Sequence, residues 1–532
     1  MIKSTKGLVH KFCLCLSMAV TIFIHNGAWA QGPNDSPRPR IVITADPELD
    51  DNNSLIRFLL YSSDVQVEGL IYASSGFHWK GDGKGTKWFV PGREYNRFGQ
   101  DKCPCESWRW AKDERFIHDI VEAYEKAYPN LKVHNANYPT PEELKSKVRY
   151  GNIDFDGDIS KDTPGSDLIR SLILDEKPGQ LYITAWGGQS TIARALKSIQ
   201  EQYEYTAQWE SVRNKVLRKV VLLPSGDQDD TYAKYIKPNW KGIDYRQFRE
   251  GPNYGYGAQL RATPGNAKLL TPAWMKENVT DRGPLGALYR VWGDGKQMVK
   301  GDIMDYFGMT GYTDDQLRKM GYVVWMPVQP KGSWLGEGDN PTFMNMLGNG
   351  LRAHEFGPYG GWGGRELSDP GAESFSFNLS DTSQQAMANA LGSVGQNKNV
   401  NTFPDFFATA QQDFAARMKW TTKSKYADAN HEPLVKIEGP LEVMASPGET
   451  IRLNGSASDP DNDKMAIGWW QFKVGTYTND VILSNANTLQ CRVTIPKDAK
   501  AGQTIHVVLQ ASDNGTPSLT RYQRVIVTVR AK

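Results

Sequence analysis

The sequence predicts an α/β domain, a mostly parallel sheet with helices on both faces, followed by a small all-β sandwich. Three observations predict it. From Arg40 to about residue 330, short runs rich in Val, Ile and Leu alternate with stretches of helical period. Past about residue 430 the pattern switches to period two, broken by Pro-Gly and Asp-Pro turns. The composition is that of a globular chain: of 532 residues, 39% are hydrophobic and 23% charged.

Residues 1–30 read as an export signal. Lys3, Lys6 and Lys11 make a basic start, "FCLCLSMAVTIFI" is the apolar middle, and Ala28 and Ala30 offer a cleavage point ahead of Gln31. The apolar run is shorter than a membrane span. The mature protein is therefore expected to be exported, periplasmic or extracellular, with no membrane insertion. "RIVITA" then opens the sheet, and "SLIRFLLYSS" supplies the first helix. "VQVEGLIYAS", "QLYITAW", "KVVLLPS" and "GYVVWMPV" follow as strands, with "DLIRSLIL" and "STIARALKSIQEQY" as helices. The polar stretch 370–412 reads as a long surface segment. The period-two region at the end closes with two strands around a turn, and Trp469 or Trp470 would fill its core.

Charge narrows the partners. Lys+Arg 62 against Asp+Glu 60 calls for neither a nucleic-acid backbone nor a polybasic membrane anchor. Beyond the signal lie Cys103, Cys105 and Cys491, an odd number that leaves one thiol unpaired. A Cys103–Cys105 bridge would close a very tight ring, so buried thiols are expected, and two thiols make a poor zinc site.

Chemistry concentrates where the first strand hands over to the first helix. "RIVITADPELDDNNSLIRFLLY" crowds Asp46, Glu48, Asp50 and Asp51 into one turn. Carboxylates this close repel one another unless a cation compensates them, and hard oxygen ligands favour Ca²⁺ or Mg²⁺ over zinc. The competing reading is a helix N-terminus capped by Glu48 and Asp50. In parallel sheets binding groups gather at the carboxyl ends of the strands, where Trp186 and Asp227 also fall.

"VITADPELDDNNSLIRFLL" resembles the first motif of nucleoside hydrolases, an Asp-rich turn that chelates calcium. "PGSDLIRSLIL", "LYITAWGGQSTIARAL" and "LGEGDNPTFMNMLGNGL" resemble later segments of that family, in the proper order. "SGDQDDTYAKYI", "WMKENVTDRGPLGALY", "GGWGGRELSDP", "QQDFAARMKW" and "ADANHEP" are together similar to a family of secreted bacterial proteins commonly labelled cellulose-binding. The resemblance implies a nucleoside-hydrolase-like domain over 31–430 and an immunoglobulin-like sandwich over 431–532. It implies that Asp46 is metal ligand and general base, Asp51 a bidentate ligand and Asp50 a contact to a sugar hydroxyl. Trp186 would lend its main-chain carbonyl, and Asp339 would complete a Ca²⁺ cage. The metal would orient a sugar diol and lower the pKa of an attacking water, giving hydrolysis with inversion.

The chain departs from that pattern around the base. The motif's first Asp is Thr44, the Gly inside the turn is Glu48, and the His that helps protonate a leaving base is Gly338. The sugar-binding Asn after the second strand has no counterpart, and Asp227, Asp229 and Asp230 stand where Asn and Glu contacts are usual. A furanosyl or other sugar linked through oxygen is thus expected rather than a nucleoside. His78 is a candidate proton donor to the leaving group. Trp362 and Arg365 in "GGWGGR" make a candidate sugar platform, weighed against a Trp packed under a Gly-rich turn. "DFDGDISKD" lacks the EF-hand positions and reads as a solvated loop, and Asp459, Asp461 and Asp463 read as a turn.

The expected function is an exported Ca²⁺-dependent glycoside hydrolase acting on glycan-derived sugars. A non-catalytic carbohydrate (cellulose)-binding protein and a periplasmic nucleoside hydrolase are the rivals, and the oligomeric state stays open.

Overall fold

A computed structural model describes residues 38–96, 101–366 and 403–531. The expected export signal at 1–30, its cleavage point at Ala30 and most of the polar segment 370–412 lie outside these residues. Among the described residues no helix is long and apolar enough to cross a membrane.

β1 (Arg40–Ala45) is buried at every position. It lies inside a six-stranded sheet of order β3-β2-β1-β4-β5-β6. The partners are β2 (Gln66–Tyr72), β3 (Val148–Tyr150), β4 (Leu181–Ala185), β5 (Val220–Pro224) and β6 (Asp244–Tyr245). Every pairing is parallel, so both faces are covered and the strands read as continuous apolar runs. Alternate residues serve opposite cores. Ile41 and Ile43 join α1 (Leu49–Leu60) and α2 (Phe116–His134), whereas Val42 joins Ile183 and Leu222 under α4 (Pro164–Leu174) and α5 (Ser190–Tyr203). α3 (Pro141–Lys147) and α6 (Trp209–Lys219) complete the helical layers. Thr163 starts α4 by accepting from Ser166 N, with Pro164 at the first helical position. The winding reverses between β1 and β4, which opens a crevice at the carboxyl ends of those two strands.

Three expectations are corrected. "GYVVWMPV", residues 321–328, pairs with no strand, although Val323 and Val324 are buried. Its apolar run marks burial in a small cluster with Tyr306 and Phe307, not a ladder. The last residues of the supposed surface segment open the helix Phe407–Trp420, which buries Phe407, Ala410 and Gln411. Cys103 and Cys105 form a disulfide: the turn through Pro104 brings their Cα atoms to 4.4 Å, within reach of a bridge. Cys491 is a free, buried thiol.

The C-terminal region stacks two four-stranded sheets. One holds Leu434–Glu438, Thr450–Ser458, Ile482–Ser484 and Gln490–Thr494; the other holds Glu442–Ala445, Ala466–Phe472, Thr504–Ser512 and Thr520–Val529. Trp469 fills the core between them, while Trp470 packs against the first core. The helix Phe407–Trp420 ties the two parts together. Its Asp413 pairs with Arg521 at 2.6 Å, and its buried Arg417 pairs with Asp64 at 3.1 Å. Asp459 accepts from Asp461 N and Asp463 N, which makes that triplet a turn.

Candidate functional site

The turn after β1 folds back on itself before α1 begins. Glu48 N donates to the Asp46 carbonyl at 2.9 Å, and Asp46 N donates to Asp51 Oδ1 at 3.1 Å. Glu48 stands at the N-cap of α1 but makes no side-chain cap, so the capping explanation fails for it. Its carboxylate points into a nest instead. Asp46, Glu48 and His78, and again Glu48, Asp50 and Asp51, each bring a ligand atom within 4.8 Å of the others. Asp339, ahead of the helix Asn340–Met344, is buried within electrostatic reach of Asp46, Asp50 and Asp51.

Backbone and buried charge hold this arrangement. A Cβ on Gly187, just past β4, would stand 2.8 Å from Asp46 Cγ, so glycine makes room for the carboxylate between the strand ends. Gly338 N donates to Asp50 Oδ2 at 3.1 Å, and a Cβ there would collide with the same oxygen. The missing histidine at 338 thus has a steric reason. Tyr256 donates its hydroxyl to Asp50 Oδ1 at 3.0 Å. Arg57 of α1 pairs with Glu337, two residues before Asp339, and both are fully buried. This pair fastens the loop carrying Asp339 to the helix carrying Asp50 and Asp51.

Burial pushes the carboxyls of Glu48, Asp51 and Asp339 well above their ordinary range, and mutual repulsion adds to it. Burial likewise pushes Asp50 up to about 6, against the pull of the Tyr256 hydroxyl. Asp46 Oδ2 meets His78 Nδ1 at 3.2 Å, while its buried Oδ1 has no partner among the described residues. Arg109 acts on Glu48 from outside, but it is bound to Glu94 at 2.9 Å and Asp302 at 2.7 Å. Among the described residues no lysine or arginine pairs with Asp46, Asp50, Asp51 or Asp339. A nest of buried carboxylates without a counter-charge must hold protons or a cation.

Residues 40–365 match the family described as cellulose-binding Sde182, nucleoside hydrolase-like domain. The chain belongs to that family. Residues 450–529 match the C-terminal domain of cellulose-binding protein Sde0182. Among solved structures, the Sde182-family chain resembles a nucleoside hydrolase-related hypothetical protein from Saccharophagus degradans, described as associated with carbohydrate metabolism. The TM-score is 0.65 at 24% identity, covering 93% of this chain and 100% of that one. At this identity the likeness shows the fold. A chimeric titin Z1Z2 matches 19% of this chain and 99% of its own at 19% identity, with a TM-score of 0.13 that carries no argument. No curated protein matches the chain.

The remaining candidates of this Sde182-family chain fall in different places. His78 is fully buried and belongs to the nest. Trp186 is buried, its indole N–H donates to Thr342 Oγ1 at 2.8 Å, and its carbonyl accepts from Gln228 Nε2 at 2.6 Å. Asp227 starts the next helical turn by accepting from Tyr232 N and Ala233 N. Asp229 accepts from Ser190 N and Thr231 N, and Asp230 pairs with Arg93 and Lys234. These three brace the loop beyond β5 and stay outside the nest. The sugar platform is corrected: Trp362 is 1% exposed, sealed under the C-terminal sandwich with Arg521 over its ring. Arg365 is bound to Glu250 at 2.5 Å. Thr44 turns away and donates to the Thr184 carbonyl at 2.9 Å. Glu48 and Tyr256 escaped the sequence reading as site residues. The charge of Glu48 in the acidic turn was a visible signal, whereas Tyr256 arrives from 206 residues away with none.

Proposed function

We propose that the nest holds a divalent cation, Ca²⁺ by its donor chemistry, and that the protein is an exported glycoside hydrolase acting on glycan-derived sugars. The observation that carries this reading is the set of five buried or half-buried carboxylates, Asp46, Glu48, Asp50, Asp51 and Asp339, with no lysine or arginine among them. The donors fit the ion: all are hard oxygens, and Asp46 Oδ1 lies buried without a partner. Asp46, Asp51 and Asp339 would hold it, together with the second lone pair of the Trp186 carbonyl and the carboxylate of Glu48. Such an ion supplies charge compensation, a grip on a sugar diol and a lowered pKa for water.

The chain's own groups divide the rest of the work. Asp46 Oδ1 is the atom free to take a proton from water, while His78 Nδ1 holds the other oxygen and sets the plane of the carboxylate. Asp50, steadied by Tyr256 and by Gly338 N, offers its remaining lone pairs to a sugar hydroxyl. The nest sits in the crevice between β1 and β4, where a parallel sheet of this order accepts ligands.

Calcium titration followed by product analysis on a glycan panel tests the reading. At calcium about a hundredfold above Kd, the ion should stabilise the fold by about 2.7 kcal/mol. Asp51→Ala should abolish both that gain and glycan cleavage. A native protein that ignores calcium, or a D51A variant with full activity, would refute it. A second reading, carbohydrate binding without turnover, draws support from the closed position at Gly338 and from the cellulose-binding descriptions of both family matches. Retention on insoluble cellulose with no product from any glycan would favour it. Release of free base from inosine or uridine would favour a nucleoside hydrolase.

A further inference from the structure

A second cavity, about 170 Å³, opens beyond the carboxyl ends of β3 and β5. Its walls include Trp88, Arg93, Asp156, Asp229, Thr231 and Lys234. We propose that it binds one sugar ring of a neutral glycan. The proposal rests on the reading that the protein handles carbohydrate, but it needs no ion in the nest.

The cavity is a built site. The Trp88 indole stacks on Phe155 at 4.8 Å, and its backbone exchanges two hydrogen bonds with Cys105, beside the Cys103–Cys105 bridge. An aromatic wall held this way presents a fixed apolar face, which suits the C–H face of a sugar ring. Arg93 is already committed to Asp156 at 2.5 Å and Asp230 at 3.1 Å. Its charge is spent, and the other cation of the wall, Lys234, pairs with Asp230 at 3.1 Å, so the site offers no unpaired positive charge to an anion. Two buried polar atoms lack a partner among the described residues: Trp88 Nε1, and Oγ1 of Thr231, a residue only 3% exposed. Thr231 Oγ1 faces Gly157, another residue of the wall. Buried polar atoms are ordinarily paired. Sugar hydroxyls both donate and accept, so one ring can serve the donor and the hydroxyl together. The volume suits a single ring, being well below that of pockets for larger ligands.

The cavity also neighbours the nest. A Cβ on Gly76 would stand 2.9 Å from Arg93 Cδ, and His78, two residues on, meets Asp46.

Calorimetry of the full chain with glucose and with cellohexaose, in calcium and in EDTA, tests the proposal. Cellohexaose should bind more tightly than glucose. Thr231→Val removes an unpartnered hydroxyl, so it should leave the melting temperature unchanged and weaken cellohexaose about fivefold. Trp88→Ala should weaken it about tenfold or more. Both losses should persist in EDTA, which separates this site from the nest. Native-like binding by both variants overturns the proposal, as does a native protein that binds no cellohexaose in either buffer. A structure of the complex with only water in the cavity would overturn it too.

Discussion

Arg57→Met tests what holds the nest together. The Arg57 guanidinium is fully buried, pairs with Glu337, donates to the Ala410 carbonyl at 3.3 Å and lies 3.8 Å over the Phe414 ring. Glu337 is equally buried and also accepts from the Tyr289 hydroxyl at 2.6 Å and from Asn340. Methionine fills much of the same volume but leaves Glu337 as a buried charge that water does not reach, a loss of about 3–5 kcal/mol. Burial already pushes the Glu337 carboxyl upward. Its folded pKa rises further once Arg57 is gone, so the variant should recover stability as pH falls and the acid takes up its proton. Arg57→Met combined with Glu337→Gln removes both charges while Gln still accepts from Tyr289. The double variant should therefore be more stable than the sum of the single losses predicts, by about 2 kcal/mol. Urea unfolding followed by tryptophan fluorescence reads all three. A single-variant loss below about 1 kcal/mol, or strict additivity, would refute the claim that this pair is a desolvated charge clamp.

Three further outcomes follow from particular residues. Gly187→Ala places a methyl 2.8 Å from Asp46 Cγ, so calcium affinity should fall about tenfold while the fold survives; an unchanged calcium isotherm would show that Asp46 is not confined there. Burial beside Arg524 and Arg352 pushes His506 down to about 3, against about 6.5 in the unfolded chain. The neutral ring's contribution is complete above the unfolded value and drains away as pH falls toward the folded one. Between pH 6.5 and 5 the native protein should lose about 1.6 kcal/mol that His506→Gln does not lose, measured as the difference between their urea midpoints. Thiol titration of the chain from residue 31 should find none accessible in the native state, one after unfolding and three after reduction; three before reduction would mean that Cys103 and Cys105 stay apart.

Local pattern alone determined much of the architecture. β1, β2, β4 and β5 are buried on both faces, so they must be continuous apolar runs, and α1, α4 and α5 must carry one apolar stripe. The convergence of Asp46, Asp50 and Asp51 is also local, since one turn between strand and helix aims all three. Only the tertiary structure decided what covers a run once it is made. "GYVVWMPV" is as apolar as a strand but meets no partner edge, and Trp362 sits in a glycine-rich loop that the C-terminal sandwich then seals. The same holds for Tyr256 against Asp50, for Arg57 against Glu337, and for the glycine forced at 338. Periodicity is a property of neighbours along the chain. Burial and counter-charge are set by groups that arrive from hundreds of residues away.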